Sequence, residues 1–440
     1  LYNRGVIMSG APSLSHRLVF ASAFVAARVA LDLVFVFGIS QLFAYMGLTL
    51  QIGPAKLAAS YVVTLALARL LPARCARPSD FLVLLLACFI LLPCLSLWSL
   101  RDLPTADMAV ILGAYLLTVL GALPVLSFGP ACFWGISFVL AASMGLLLWR
   151  RGALGFFNLN LLDVYSIRKD VHEQVIFGFM GYLVPWYGKV IGVAWLSILL
   201  AKGRWAGAAV IAATEFVLFA VTAHKEYLFY PVLLIGIFVL TSRVERLNYR
   251  FLGVVTAALV ATLLLYLIGD FWVISGFVAY RSFFAIALNH FEYLSFFHNN
   301  PYVYFSNSVL APIADYPFNA PVPALVGSGR YGVGREAFAN TGYIASGYMQ
   351  LGALGALWYG LLVGLLLRVF DSLVADRLSL RLGIMFTTVP ILQLANTDLT
   401  VALVTNGLLL TVLLLLLYPG TRAAADQDAD LPSRLATIPS

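Results

Sequence analysis

A chain of 440 residues that is 62% hydrophobic and 11% charged, with a mean hydropathy of +0.94, lies outside the range of soluble globular domains, which carry roughly 25% charged residues. The net charge of +7 comes mainly from arginine, because Lys56, Lys169, Lys189, Lys202 and Lys225 are the only lysines. The basic residues are scattered through short loops, which argues against nucleic acid as a partner and leaves loop topology and anion binding as their uses.

Arg4 and Arg17 precede a long apolar stretch with no small-residue cleavage site, so the first segment is expected to stay as an anchor. Apolar runs long enough for roughly 30 Å of hydrocarbon then recur near 18–46, 54–73, 81–99, 107–126, 131–149, 175–200, 205–223, 227–241, 251–275, 349–370, 382–395 and 399–418. The expected fold is all-α, a polytopic membrane bundle of about twelve helices. Its divisions are nine helices over 1–275, one large external loop over 276–348, three helices over 349–418, and a disordered tail over 419–440. Cys75, Cys88, Cys94 and Cys132 lie in or beside the early runs without CxxC or Cys/His metal spacing, and so point to neither a redox compartment nor a metal.

With the N-terminus inside, fifteen Lys and Arg residues fall on the cytoplasmic side and ten outside. Several of the outside ones gather at 168–169, 225 and 281–335. Positive charge kept there against the usual bias suggests that it holds an anion.

Within 276–348, the run Arg281 to Phe297 has helically spaced aromatics and is expected to lie as an amphipathic helix at the membrane interface. His298 to Pro301 (HNNP) signals a turn, and Pro312, Pro317, Pro321 and Pro323 predict an irregular loop. A glycine-rich run over 327–342 leads into a helix whose Gly352, Gly355 and Gly360 predict close helix packing.

The candidate anion-binding residues are Arg168, Lys225, Arg281, Arg330 and Arg335. Arginine forms paired bonds to phosphate oxygens, and glycine-rich backbone lets N–H groups approach an anion. Interfacial cations also commonly reach for water or headgroups, which is the plainer reading of any one of them. Candidate acid–base groups are His298, Glu336, Glu226, His290, Glu292 and Asp315, with Tyr331 a further site candidate; none has metal-ligand spacing, so no metal or other cofactor is expected. Inside the spans, Arg28 and Asp32 are four apart and read as a structural pair. Lys189 and Glu215 stay open as functional candidates, because buried charge in a bilayer demands a use.

In order, DVYSIR (Asp163 to Arg168), HKEYLF (His224 to Phe229), RSFFA (Arg281 to Ala285), HNNP and the closing run from Gly327 to Leu357 resemble a known family. They are similar to the bacterial oligosaccharide repeat-unit polymerases, the Wzy-type O-antigen polymerases, over most of 160–370. The resemblance implies a metal-independent, GT-C-type glycosyltransferase of the bacterial inner membrane with cytoplasmic termini. It would join undecaprenyl-diphosphate-linked repeat units at the periplasmic face and leaves room for a chain-length regulator as protein partner. Arg168, Lys225, Arg281, Arg330 and Arg335 would then hold the two diphosphates; the resemblance does not set the base, for which His298 and Glu336 are the candidates. An O-antigen ligase or other lipid-linked-sugar transferase is the nearest alternative, although His290 and His298 are the only histidines in the large loop and neither closely precedes its glycine-rich run. A flippase or transporter is the other, although the chain shows no internal repeat.

Overall fold

A computed structural model describes residues 14–75, 77–119, 130–159, 168, 170–171, 173–269, 271–308, 311, 313–331, 338–375 and 378–418. Among them every regular element is helical. Among the described residues nine helices are long and apolar enough to cross a membrane: Ser15–Leu42, Pro78–Leu100, Cys132–Arg150, Met180–Ala201, Trp205–Thr222, Lys225–Gly269, Trp272–His298, Tyr343–Ala375 and Leu399–Leu417. Thr105–Val119 and Leu380–Ala395 are shorter apolar helices, and Pro54–Leu70 is a 17-residue helix within the run expected over 54–73. The expected runs at 227–241 and 251–275 form one helical stretch interrupted at Arg243, whose φ of −133° and ψ of 83° are not helical.

The chain divides into two compact units. One comprises 1–120, 243–364 and 395–398. Its inner helix is Pro78–Leu100, of whose most apolar stretch 94% is buried, as expected for a helix that is hydrophobic on every face. A π-turn at Ala87–Leu91 precedes Pro93, which lacks an N–H and would crowd the carbonyl of Phe89 in a regular α-helix. Ser15–Leu42 packs against this helix and against Leu247–Gly269. It carries Arg28, fully buried, whose guanidinium pairs with Asp32, donates to Ser60 and Ser99 Oγ, and lies over the Tyr61 ring. Arg28 and Asp32 are thus a structural pair that ties three helices together.

The other unit comprises 121–242, 365–394 and 399–440. Its inner helix, Met180–Ala201, is 78% buried over its most apolar stretch and is surrounded by Cys132–Arg150, Trp205–Thr222, Lys225–Leu240 and Leu380–Leu392. Arg381 donates to the Phe238 carbonyl at the end of Lys225–Leu240 and stacks on the Phe238 ring, placing positive charge at a helix C-terminus.

Two expectations for 276–348 are corrected. The segment 281–297 belongs to the continuous helix Trp272–His298, and it is not an amphipathic surface helix. Residues 283–291 are buried without a break, with Phe283 stacked on Phe89 and Phe284 against Phe35. Over 283–291 every face of the helix is therefore covered, and the exposed Arg281 and Ser295 fall outside that stretch. Secondly, Pro321 and Pro323 do not forbid structure: they stand at the start of a helix, Val322–Tyr331, where a missing N–H is harmless.

Candidate functional site

His298 ends Trp272–His298, and its ring is 46% exposed. Its Nε2 lies 3.4 Å from Oδ1 of Asp107, which is 3% exposed in the first turn of Thr105–Val119. A buried carboxylate facing Nε2 orients the imidazole and leaves Nδ1 as the ring nitrogen turned away from it. Tyr348 meets the His298 ring edge-on at 6.0 Å, and Tyr302 packs against both Tyr348 and Phe297. Phe318 adds a ring beside Phe296 and Phe297. The exposed imidazole therefore sits in an aromatic wall of the kind that stacks on sugars or isoprenoid chains.

The floor of this region is a broken helix. Tyr343–Ala375 loses helical geometry at Leu351 and at Gly352, which has φ 62° and ψ −148°. Segment 303–305 covers the break: Val303 N–H donates to Met349 O at 3.0 Å, Tyr304 N–H to Gln350 O at 3.2 Å, and Phe305 N–H to Gln350 Oε1 at 2.6 Å. Gln350 is fully buried and donates onward to Asn307 Oδ1 at 3.2 Å. Tyr304 and Phe305 both have positive φ, 50° and 61°, a conformation rare for residues with a Cβ and one found where surroundings over-determine the backbone. In the same loop, half-buried Tyr316 donates to Ala320 O and accepts from Val322 N–H; burial pushes its phenol up.

The expected site residues do not all gather here. Arg281 is exposed and, among the described residues, makes no hydrogen bond or ion pair. It lies seventeen residues before His298 on one helix, roughly 25 Å along the axis, so the two do not meet. His290 is fully buried with Nδ1 2.8 Å from Ile286 O, and is closed to a substrate. Asp315 is exposed in the loop and Glu292 is half-buried. Arg335 and Glu336 lie outside the described residues, as do the side chains of Arg330 and Tyr331 at the end of Val322–Tyr331. Of the other cations expected outside, Lys56 is locked to Asp102 and to the carbonyls of Asp102 and Leu103, and Arg151 to the carbonyls of Val175 and Phe177. These two hold loops together.

In the second unit, Lys225 is the first residue of Lys225–Leu240, with His224 at the N-cap position. Beside it, Glu226 Oε1 accepts from Lys189 Nζ at 2.9 Å and its Oε2 accepts from Tyr230 at 2.8 Å. Lys189 also donates to Gln393 Oε1 at 3.0 Å and Asn406 Oδ1 at 3.1 Å, and Gln393 donates to the Tyr230 hydroxyl. All three oxygen partners of this ammonium come from different parts of the chain. Two of the four groups sit at breaks in regular helix: Lys189 on the π-turn Tyr187–Ile191 and Asn406 in the turn before Gly407. Arg168, exposed, is close enough to act electrostatically on Tyr227, the neighbour of Glu226. Glu226, Lys189 and Arg168 thus belong to one end of Lys225–Leu240. Gln393, Asn406 and Asp107 escaped sequence reasoning because an amide or a lone aspartate in an apolar run carries no spacing signal.

Among the described residues no three His, Cys, Asp or Glu side chains form a metal-ligating group. No family model matches the chain, and neither a curated protein nor a solved structure is detectably similar to it.

Proposed function

We propose that the protein is a polytopic membrane glycosyltransferase that polymerises lipid-diphosphate-linked oligosaccharide repeat units, as the Wzy-type resemblance implies. The observation that carries this reading is the His298–Asp107 pair, an exposed imidazole backed by a buried carboxylate within an aromatic wall. In this reaction an acceptor sugar hydroxyl passes its proton to Nδ1 of His298 as its oxygen attacks the anomeric carbon of the donor. The anomeric C–O bond breaks, and undecaprenyl diphosphate leaves with the electron pair. Asp107 stabilises the imidazolium formed. Arg168, Lys225, Arg281, Arg330 and Arg335 are the cations available for the diphosphates, and the reading places the reaction at the periplasmic face of the bacterial inner membrane without a metal requirement.

The test is polymer formation from synthetic undecaprenyl-diphosphate repeat units by the purified protein, with chelator present. His298→Ala is expected to leave only single units; a normal ladder from this variant would overturn the assignment of the base. Transfer to lipid A–core instead of to a second lipid-linked unit would identify the ligase alternative. A second reading, a flippase or transporter, draws on the Lys189–Glu226 pair, whose lysine is buried among apolar helices, and on the interrupted helices around it. Translocation of the intact lipid-linked unit across proteoliposomes without polymer would select it.

A further inference from the structure

The unit that holds the Lys189–Glu226 pair contains a second carboxylate that the polymerase reading does not use. Glu215, in Trp205–Thr222, is 2% exposed, and among the described residues neither of its oxygens has a hydrogen-bond partner. It rests on Gly192, where any Cβ would collide with Oε1. Four residues earlier Gly188 offers the same bare backbone to the Tyr227 ring, so the sequence Gly188-Lys-Val-Ile-Gly192 is a small-residue seat that draws two neighbouring helices close. Lys189 lies three residues before Gly192, on the π-turn Tyr187–Ile191 of the same helix, and its ammonium is held 2.9 Å from Glu226, the carboxylate whose charge reaches Glu215.

The ionisable groups facing Glu215 can be named. From Met180–Ala201 this is Tyr187, and from Lys225–Leu240 these are Glu226 and Tyr227; Lys189, His224 and Tyr230 stand around Glu226, and Ala153–Phe156, the other neighbour, supplies none. One ammonium therefore serves two carboxylates. Glu226 takes it in this structure, and an ionised Glu215 without a partner in a dry helical interior is too costly to persist.

We propose that Glu215 is an intramembrane proton-binding site and the reserve counter-ion of Lys189. When Glu226, one-third exposed, receives a proton, Lys189 releases it and turns to Glu215, which gives up its own proton. One proton is gained at Glu226 and one lost at Glu215, and the cluster keeps its charge throughout. The exchange links a surface-reachable carboxylate to a buried one, as a proton-linked membrane protein requires.

Infrared difference spectroscopy on the purified full chain at neutral pH tests this. With glutamate isotopically labelled, the wild type is expected to show a protonated-carboxyl C=O band that Glu215→Gln lacks and that survives replacement of sodium by choline. Absence of a lost band means an ionised Glu215 and overturns the proposal, as does a band that vanishes on adding sodium. In Glu226→Gln, which keeps the side-chain shape, the Glu215 band is expected to disappear because Lys189 now requires its charge. Persistence of the band in a folded Glu226→Gln protein would refute the exchange of partners. These readouts do not depend on polymer formation, so failure of the polymerase reading leaves them intact.

Discussion

Gly347 and Gly355 touch although eight residues separate them. A Cβ built on Gly347 would lie 2.6 Å from the Gly355 carbonyl oxygen and 3.0 Å from Ala356 Cα. In an unbroken α-helix these positions are roughly 12 Å apart, so the chain reverses at Leu351–Gly352 and runs back along itself. The reversal gives segment 303–305 two free carbonyls to bind, and it sets Tyr348 beside His298.

Gly352→Ala is expected to lower thermal stability. Its φ and ψ fall where only glycine is at ease, an alanine there costs about 1–3 kcal/mol, and its Cβ would lie 2.7 Å from the Tyr302 hydroxyl. Gly253→Ala is the control, since it lies in Leu247–Gly269 with nothing within 4 Å of its Cβ position, and should be neutral or slightly stabilising. Unfolding midpoints in detergent compare the two, and equal midpoints would contradict the reversal.

Asp107→Asn should reduce polymerisation by roughly 100-fold or more while leaving the fold intact, since an amide cannot stabilise the imidazolium of His298. His298→Ala and the double variant should be about equally impaired, because the two residues act as one unit. Additive losses in the double variant would separate Asp107 from the histidine's task.

Arg28→Met and Asp32→Asn should each destabilise the protein by about 3–5 kcal/mol, because each strands a buried charge. The combined Arg28→Met/Asp32→Asn variant should recover part of the loss. Thermal aggregation of the four proteins measures the cycle, and two silent single variants would remove the pair from the stabilising core.

Arg281→Ala should leave stability unchanged and abolish long polymer, because Arg281 is exposed and, among the described residues, makes no hydrogen bond or ion pair. Arg151→Ala should do the opposite: it frees the carbonyls of Val175 and Phe177 and costs about 1–3 kcal/mol. A normal ladder from Arg281→Ala would remove it from the anion-binding set.

Composition and the length of apolar runs alone specified an all-helical chain, because a membrane's thickness dictates how many consecutive apolar residues a crossing needs. They also picked out the Arg28–Asp32 pair, since four residues bring two side chains to one helix face. Glycine spacing likewise named close-packing positions, since Gly355 meets the backbone of Gly347 and Gly360 that of Ala114. Which groups stand together was decided by tertiary structure: Asp107 is 191 positions from His298, and Lys189 gathers Glu226, Gln393 and Asn406 from three separate stretches. The fate of 281–297 was decided there too. Its aromatic spacing fits either an interfacial helix or a buried one, and only the packing of Phe89 and Phe35 against its rings distinguishes them. Sequence carries local periodicity, whereas the partner of a buried charge is chosen by distant chain that must pack around it.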